Sequence, residues 1–409
     1  MKIAVQKYGG TSLATPELRS RVCDIIADTI NDGYSVVVVV SAIGRLNDPY
    51  ATDTFISLIK QVNTNPSPRE LDLIMSCGEM ISGLILSNHL SARGIASTFL
   101  TGEQSGLVTD GNYGNAHILY VNPRKVMQCL EAGLVPVVAG FQGISENGEL
   151  TTLGRGGSDT TASALGVALN ADYIDIFTDV DGIMTADPRI VEDARLINDI
   201  TYNEICQMAR EGAKVVHPRA IEIAMQRGIP LRVRSTFSNS PGTLVRNRID
   251  SESNVVSIIR DMLITGITYT SNIAQIKIDT AKIKEPRGIQ LKIFKAMADA
   301  GISVDFINVQ PELIMFTVAD EQAEPAELIL KNIDVSPIIE FNCAKVAVVG
   351  AAMTGIPGVM ARVVEALDQY DIPILQSGDS YTNIWCLVKK DDMKLAVKAL
   401  HDQFELGKK

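Results

Sequence analysis

Slid over itself by 70 positions, the last third of this chain matches without a gap. "AQIKI" at 274–278 falls on "AKVAV" at 344–348, "GIQLKIFKAMADAGI" at 288–302 on "GVMARVVEALDQYDI" at 358–372, and "LIMFTV" at 313–318 on "NIWCLV" at 383–388. Each copy reads strand, glycine turn, amphipathic helix, strand, strand, helix, which predicts the ferredoxin-like βαββαβ plan twice over. Two copies are too few for a solenoid, which needs at least three stacked units. A pair of small sheets side by side is the expected packing. The first 235 or so residues must therefore build a core of their own.

That N-terminal part alternates strand and helix signals. "KIAVQK" leads into a glycine turn, then a helix-like stretch from Pro16 to Asn31. "YSVVVVVSAIG" is apolar and β-branched throughout, as buried parallel strands are, and "LVPVVAGFQG" is a second such strand ending in glycine. "TDTFISLIK", "SCGEMISGLILSNHL" and the alanine-rich Thr160–Leu169 read as helices, and "DYIDIFTDVDG" as a strand ending in a polar turn. The alternation predicts an α/β sheet with helices on both faces. Ligands of such sheets sit beyond the carboxyl ends of the strands, where the glycine-rich loops fall. The polar, turn-rich Thr236–Ser257 reads as the linker to the repeats.

The bulk properties exclude several classes. A net charge of −11 argues against nucleic-acid binding, which needs basic surface. The longest apolar runs, such as Val36–Val40, are strand-sized, so no membrane span is expected, and the N-terminus lacks a signal-peptide pattern. The six cysteines and four histidines are scattered with no C-x-x-C pair, which predicts reduced thiols in a cytoplasmic setting, no zinc site and a structural role for all ten.

The loops carry the chemistry. "KYGGTS" at 7–12 follows the first strand: its glycines free the backbone and its lysine adds a mobile charge, which suits a phosphate. It is not a Walker A loop, and the alternative is a plain strand-to-helix turn capped by Thr11 or Ser12. "TTLGRGGSDTTASALG" at 151–166 sets Arg155 among glycines, with Ser158 and Asp159 where a helix begins. Arginine suits a carboxylate by paired hydrogen bonds, whereas Asp159 can also be a simple helix cap. "SAIG" at 41–44 offers backbone N–H groups to the same phosphates. Glu79 of "SCGE" is either a buried holder of an ammonium group or an exposed residue on a polar helix face. "FTDVDGIMTADPR" at 177–189 suits a ribose and base, and Lys214 of "AKVVHP" suits phosphate oxygens; alone, both are weak signals.

In this order, "KYGGTS", "SAIG", "SCGE", "GRGGSDT", "FTDVDGIMTADPR", "GAKVVHPRAIEIA" and "IPLRVRS" resemble the amino-acid kinase family, and within it the aspartate kinases. The two repeats resemble the paired ACT domains of those enzymes, so the resemblance covers the whole chain. "DPYATD" and "ILQSGDSYTNIW" look like the diaminopimelate-responsive bacterial monofunctional type. The fold implied is an α/β amino-acid kinase (carbamate kinase-like) αβα sandwich followed by two ferredoxin-like βαββαβ ACT domains. The boundaries implied are a catalytic domain at 1–235, a linker at 236–260 and ACT-like repeats at 261–340 and 341–409.

The resemblance implies transfer of the γ-phosphoryl of Mg-ATP to the side-chain carboxylate of L-aspartate, giving 4-phospho-L-aspartate. This is the first step toward lysine and diaminopimelate, threonine and methionine, with feedback regulation through the ACT domains. A carboxylate is already ionised at neutral pH, so no general base is required. By analogy Lys7, Asp159 and Arg155 are catalytic: Lys7 neutralises the phosphoryl group, Asp159 orients Lys7 and the attacking carboxylate, and Arg155 clamps the α-carboxylate. Lys7, Tyr8, Gly9, Gly10, Ser41, Thr178, Asp179, Met184, Arg189, Lys214 and Val215 would bind ATP, with Mg2+ carried by its phosphates and no metal ligand from the protein. Thr52, Glu79, Arg155, Gly156 and Ser158 would bind aspartate, with Glu79 pairing its ammonium.

Gly288, Ile289, Gln290, Asn308, Gly358, Val359, Ile374 and Gln376 would bind an amino-acid effector, diaminopimelate first, then lysine or threonine, in a homodimer joined through the ACT domains. Two departures stand out. Arg287 stands where the family has proline, and Val309 beside Asn308 stands where it has glutamine. The rival readings are another member of the family, such as a glutamate or uridylate kinase, and a catalytically inactive amino-acid sensor. A dinucleotide-dependent oxidoreductase lacks its G-x-G-x-x-G after the first strand.

Overall fold

The computed structural model describes residues 1–213, 215–247, 264–283, 287–350, 353 and 356–408. Two compact units divide them: Met1–Ile183 with Leu196–Arg210 and Lys214–Ser257, and Met184–Arg195 with Glu211–Ala213 and Ile258–Lys409.

The first unit holds strands β1 (Ile3–Tyr8), β2 (Ser35–Val40), β3 (Ser97–Leu100), β4 (Leu107–Thr109), β5 (Ile118–Val121), β6 (Val135–Ala139), β7 (Gln142–Ser145), β8 (Leu150–Thr152), β9 (Tyr173–Thr178), β10 (Asp199–Ile200), β11 (Leu231–Ser235) and β12 (Thr243–Val245). Its helices are α1 (Pro16–Asn31), α2 (Thr52–Val62), α3 (Pro68–Ala92), α4 (Arg124–Glu131), α5 (Gly157–Ala168), α6 (Tyr202–Arg210) and α7 (Pro218–Met225). The main sheet runs β10-β12-β11-β9-β1-β2-β6-β3, and β11, β9, β1, β2, β6 and β3 are mutually parallel. A second sheet, β5-β4-β7-β8, flanks it in the sequence.

Because side chains alternate along a strand, each face of the sheet has its own core. Tyr8, Val36, Val38 and Val40 pack with Val22 and Ile26 of α1 and Leu86 and Leu90 of α3. On the opposite face, Val5 lies by Gly166 of α5, which is why Lys7 also points to the α5 side. By length and composition α3 would pass for a membrane span. It packs instead against β2, β3, β6 and β8, with Asp72, Ser76 and Glu79 among its buried residues, as a core helix of the unit.

The linker expected at 236–260 is shorter than the sequence suggests. β12, inside it, pairs antiparallel with β11, and Thr236 donates its hydroxyl to Ser12 Oγ at 2.7 Å. Residues 248–260 of that linker lie outside the described residues.

The second unit holds β13 (Gly266–Asp279), α8 (Ile289–Asp299), β14 (Asp305–Val309), β15 (Leu313–Ala319), α9 (Asp320–Lys331), β16 (Ile338–Val349), α10 (Val359–Asp368), β17 (Gln376–Asp379), β18 (Asn383–Lys389) and α11 (Met393–Gln403). The 70-residue offset carries β15 onto β18 and the start of α8 onto that of α10. The repeats do not form two small sheets. They share one six-stranded sheet, β14-β15-β13-β16-β18-β17. Each repeat supplies three strands and borrows its fourth: Ile338–Glu340 of β16 pairs beside Lys277–Gln275 of β13, and Gly266–Ser271 of β13 beside Val349–Ala344 of β16. Long first strands make this exchange possible, and the continuous ladder satisfies backbone groups that two separate sheets would leave as open edges.

Two segments that the sequence assigns to the kinase part belong to this unit. Ala186, Ile190 and Val191 are buried in the core of the second repeat. Glu211 pairs with Lys345, which is 6% exposed and sits 3.9 Å over the Phe306 ring. Gly212 (φ +116°) lies so close to Tyr269 O that a Cβ there would be at 2.0 Å.

Candidate active site

The ends of β9, β1 and β2 lie side by side, with Tyr8 in register with Phe177 and Val40. The loops that follow, at 9–13, 41–45 and 178–183, therefore emerge together. Gly10 meets the second loop closely: a Cβ on it would stand 2.3 Å from Ala42 O, and its carbonyl accepts the Gly44 N–H at 3.2 Å. Residues Gly10–Leu13 form a 3-10 turn, and the cap of α1 is Thr15, not Thr11 or Ser12.

Lys7 Nζ lies 2.7 Å from Asp159 Oδ1, with both side chains about nine-tenths buried. Asp159 does not cap α5. The cap position is Gly156, left-handed at φ +69°, and Asp159 is the third residue of the helix, in its first turn. A Cβ on Gly156 would also stand 2.3 Å from His217 Cβ, so space and backbone conformation both require glycine there. Arg155, just before this turn, is exposed and makes no hydrogen bond or ion pair among the described residues.

Glu79 is 3% exposed, which removes the surface reading of this residue. One carboxylate oxygen accepts the Ala42 N–H at 3.1 Å, and the other has no hydrogen-bond partner among the described residues. Burial pushes its pKa up to about 8, offset in part by that bond. The loop contact arises because α3 carries Gly78, where a Cβ would stand 2.6 Å from Ala42 Cβ. Thr52 opens α2 beside this loop in sequence and is half-buried.

Other expected residues fall differently. The Tyr8 ring is fully buried, stacked on Phe177 at 4.8 Å, with its hydroxyl donating to Gln6 Oε1 at 3.0 Å. The alternation that aims Lys7 at α5 aims Tyr8 into the opposite core, so its side chain does not reach a ligand. The N–H groups of Gly9 and Ser41 already donate to Phe177 O (3.3 Å) and Tyr8 O (3.1 Å), so the strand-end ladder uses these two donors expected for phosphate. Thr178 ends β9, and Asp179 just after it pairs with Arg45 at the surface. Val215 is half-buried and Lys214 lies outside the described residues. Met184 and Arg189 belong to the second unit, where Arg189 donates twice to Asp187 and Tyr269 donates its hydroxyl to the same carboxylate.

Three supporting residues were not singled out from the sequence. Asp72, fully buried on α3, accepts from Gly114 N (3.0 Å), Thr152 N (2.7 Å) and Thr152 Oγ1 (2.8 Å), fixing the strand that leads to Arg155. Arg219 donates to Leu153 O (3.1 Å), two residues before Arg155, and to Ala116 O (2.8 Å). His217, read as merely structural, backs Gly156, and its Nδ1 accepts the Arg219 N–H. Burial lowers its pKa against the pull of Asp159, so the ring is neutral near pH 7. A buried aspartate or arginine needs partners, but which distant backbone supplies them is not written in local sequence.

In the second unit, Gly288 (φ +72°) and Gly358 (φ +92°) both cap helices, and among the described residues nothing lies within 4 Å of the place where a Cβ would project. A cavity of about 350 Å³ is lined by Met353, Ile356, Gly358 and Val359 on one side and Ser377–Asp379 on the other. Ile289 and Gln290 open α8, and Ile374 is half-buried. Gln376 is committed to the protein: its amide donates to Phe306 O at 2.6 Å and its oxygen accepts from Gln275 at 2.8 Å. Its counterpart 70 positions earlier is Phe306, stacked on Trp385, and not Asn308.

The amino acid kinase family profile matches residues 2–235 and an ACT domain profile matches residues 338–402. The chain is 50% identical to Aspartokinase 1 of Bacillus subtilis over 408 residues, covering all of both chains. It is 38% identical to an aspartokinase of Geobacillus stearothermophilus, covering 100% of this chain and 98% of that one. Among solved structures it resembles Escherichia coli aspartokinase III in complex with aspartate and ADP, with TM-score 0.80, 26% identity and coverage of 98% and 99%. It also resembles aspartate kinase of Clostridium acetobutylicum, with TM-score 0.78, 26% identity and coverage of 98% and 100%.

Proposed function

We propose a division of labour in this site on a premise that its relatives supply: the chain belongs to the amino acid kinase family and is an aspartokinase. It uses ATP to phosphorylate the side-chain carboxylate of L-aspartate, and it carries ACT-type regulation.

The Lys7–Asp159 pair carries the reading. Phosphoryl transfer passes through a loose transition state, so positioning and charge neutralisation supply most of the catalysis. Lys7 collects the charge of the transferring phosphoryl, and Asp159 holds the ammonium on the α5 side while leaving it free to turn. Glu79 receives the α-ammonium of aspartate; its unpartnered buried oxygen favours this. Arg155 clamps the α-carboxylate, supported by its unpaired guanidinium, and Thr52, Gly156 and Ser158 complete the substrate side. Thr178, Asp179, Lys214 and Val215 serve the nucleotide. Mg2+ supplies charge neutralisation at the phosphates. The donors here are a lysine, backbone amides and a carboxylate already paired with Lys7, which suits an ion held by phosphate and water.

Gly288 and Gly358 cap the helices that would hold an effector carboxylate, with diaminopimelate first, then lysine or threonine. The cavity at Gly358 favours the second repeat. The edge strand β14 exposes Ile307 and Val309, which suits pairing with a second copy in a homodimer. Six free thiols suit a reducing cytoplasm.

A coupled assay of ADP release with and without L-aspartate tests the reaction, and calorimetric titration with the three amino acids tests the effector. Aspartate-independent ADP release would overturn the first. No heat and no kinetic change with any of the three, singly or paired, would overturn the second.

A further inference from the structure

Three ligand-type side chains meet at the end of α11. His401 and Asp402 lie on that helix, and Asp193 comes from the distant segment Met184–Arg195. All three belong to the second unit. Each offers a ligand atom within 4.8 Å of the other two, and among the described residues no other three Asp, Glu, His or Cys side chains do so.

His401 is the informative member. It is fully buried on a helix face otherwise lined by Val397 and Leu400, where an apolar side chain would pack without polar cost. Its Nδ1 has no hydrogen-bond partner among the described residues and faces Asp193, whose Oδ1 stands 3.7 Å away, beyond bonding range. Its Nε2 lies 3.0 Å from Thr185 Oγ1, and the same oxygen accepts the Arg195 N–H at 2.9 Å. Metal-bound imidazoles are held in this way: the far nitrogen donates to a fixed oxygen, which orients the ring and leaves the near nitrogen's lone pair for the ion.

The carboxylates have room to close on such an ion. Asp193 and Asp402 are exposed, so water reaches the remaining coordination positions. A Cβ on Gly407 would stand 1.9 Å from Asp193 Oδ2, so a side chain at that position would displace the carboxylate. Ligand atoms about 2.1 Å from one ion stand about 3–4 Å from each other. The 3.7 Å gap between Nδ1 and Oδ1 falls in that range.

We propose that His401, Asp193 and Asp402 bind a divalent transition-metal cation, Zn2+ first, which ties the Met184–Arg195 segment to α11. An imidazole with two carboxylates takes Zn2+ ahead of Mn2+ by the usual affinity order, and the imidazole disfavours Mg2+. This cation is not the Mg2+ that travels with ATP, which phosphate oxygens hold.

The test uses the full-length enzyme, stripped with a chelator and free of nucleotide, and reads calorimetric titration and melting temperature. Zn2+ alone binds at one ion per chain and raises the melting temperature, Mn2+ binds more weakly, and Mg2+ does not compete. Asp193→Asn and Asp402→Asn, both at the surface, each weaken Zn2+ binding at least about tenfold and abolish the thermal shift, as does His401→Leu. Thr185→Val, which removes the oxygen that orients the ring, weakens binding about tenfold. If His401→Leu or Thr185→Val fails to fold, the two aspartate variants make the comparison. No Zn2+ binding to the native protein overturns the proposal. Binding that persists unchanged in both aspartate variants also overturns it, and places the ion elsewhere, as on the exposed Cys77.

Discussion

Lys7, at the end of the central strand, and Asp159, in the first turn of α5, form an ion pair at 2.7 Å. A buried pair of this kind is weak as a stabiliser, because desolvation offsets much of its attraction. Its value is that it holds one mobile positive charge where three strand-end loops converge.

Lys7→Ala should therefore lower kcat by about 10²-fold or more, the scale of a lost charge-stabilising group. The variant also leaves Asp159 buried without its cation, so the melting temperature should fall too, and Lys7→Ala combined with Asp159→Ala should recover stability but not turnover. A coupled assay with a thermal melt on the same sample checks this, and near-normal turnover would remove Lys7 from the mechanism.

Glu79 should give the reaction a pH limb. Its folded pKa, about 8, lies above the ordinary carboxylate value, so the free enzyme holds a proton there at pH 7. An ammonium group needs the ionised form. The kcat/KM for aspartate should rise about tenfold per pH unit up to about pH 8 and then level off, since that parameter reports free-enzyme groups. Glu79→Gln should lose both the limb and most of the affinity. The same raised pKa means that Glu79 favours the fold at low pH and that this contribution is lost as pH rises through 8. The gain in melting temperature from Glu79→Gln should accordingly be larger at pH 9 than at pH 5.

Gly156→Ala should cost at least about 1 kcal/mol from the left-handed backbone alone, and more from the collision with His217. Adding His217→Ala removes the collision but not the backbone strain. The double variant should recover part of the stability of the single one and little of its aspartate affinity, as read by denaturant midpoints and KM.

Asp72→Ala should orphan the buried N–H and hydroxyl of Thr152, at about 1–3 kcal/mol each, while the exposed Gly114 N–H turns to water. The turn carrying Arg155 loses its anchor, so KM for aspartate should rise while KM for ATP changes less. A wild-type denaturant midpoint would refute the anchoring role.

Ile307→Lys on the edge strand β14 should weaken self-association, because a charge on an exposed edge strand disfavours pairing with another edge. Sedimentation at several concentrations measures it, and an unchanged dimer would move the interface elsewhere.

What the sequence determined by itself was local. The apolar run at Val36–Val40, the glycine turns and the 70-residue offset record strand period, left-handed backbone and repeated packing, and each can be read within a few residues. The loops offered Lys7 as a candidate for phosphate and Arg155 for a carboxylate, and left Glu79 open between a buried and a surface reading. Tertiary structure alone decided the rest. It buried Glu79, turned Tyr8 inward, and chose between the two readings of Asp159, helix cap and partner of Lys7. It merged two expected sheets into one by lending β13 and β16 across the repeats, and gave Thr185 to His401 and Glu211 to Lys345. These depend on which distant segments meet, and a buried polar group takes its partner from whatever the fold brings within about 3 Å, which no local pattern encodes.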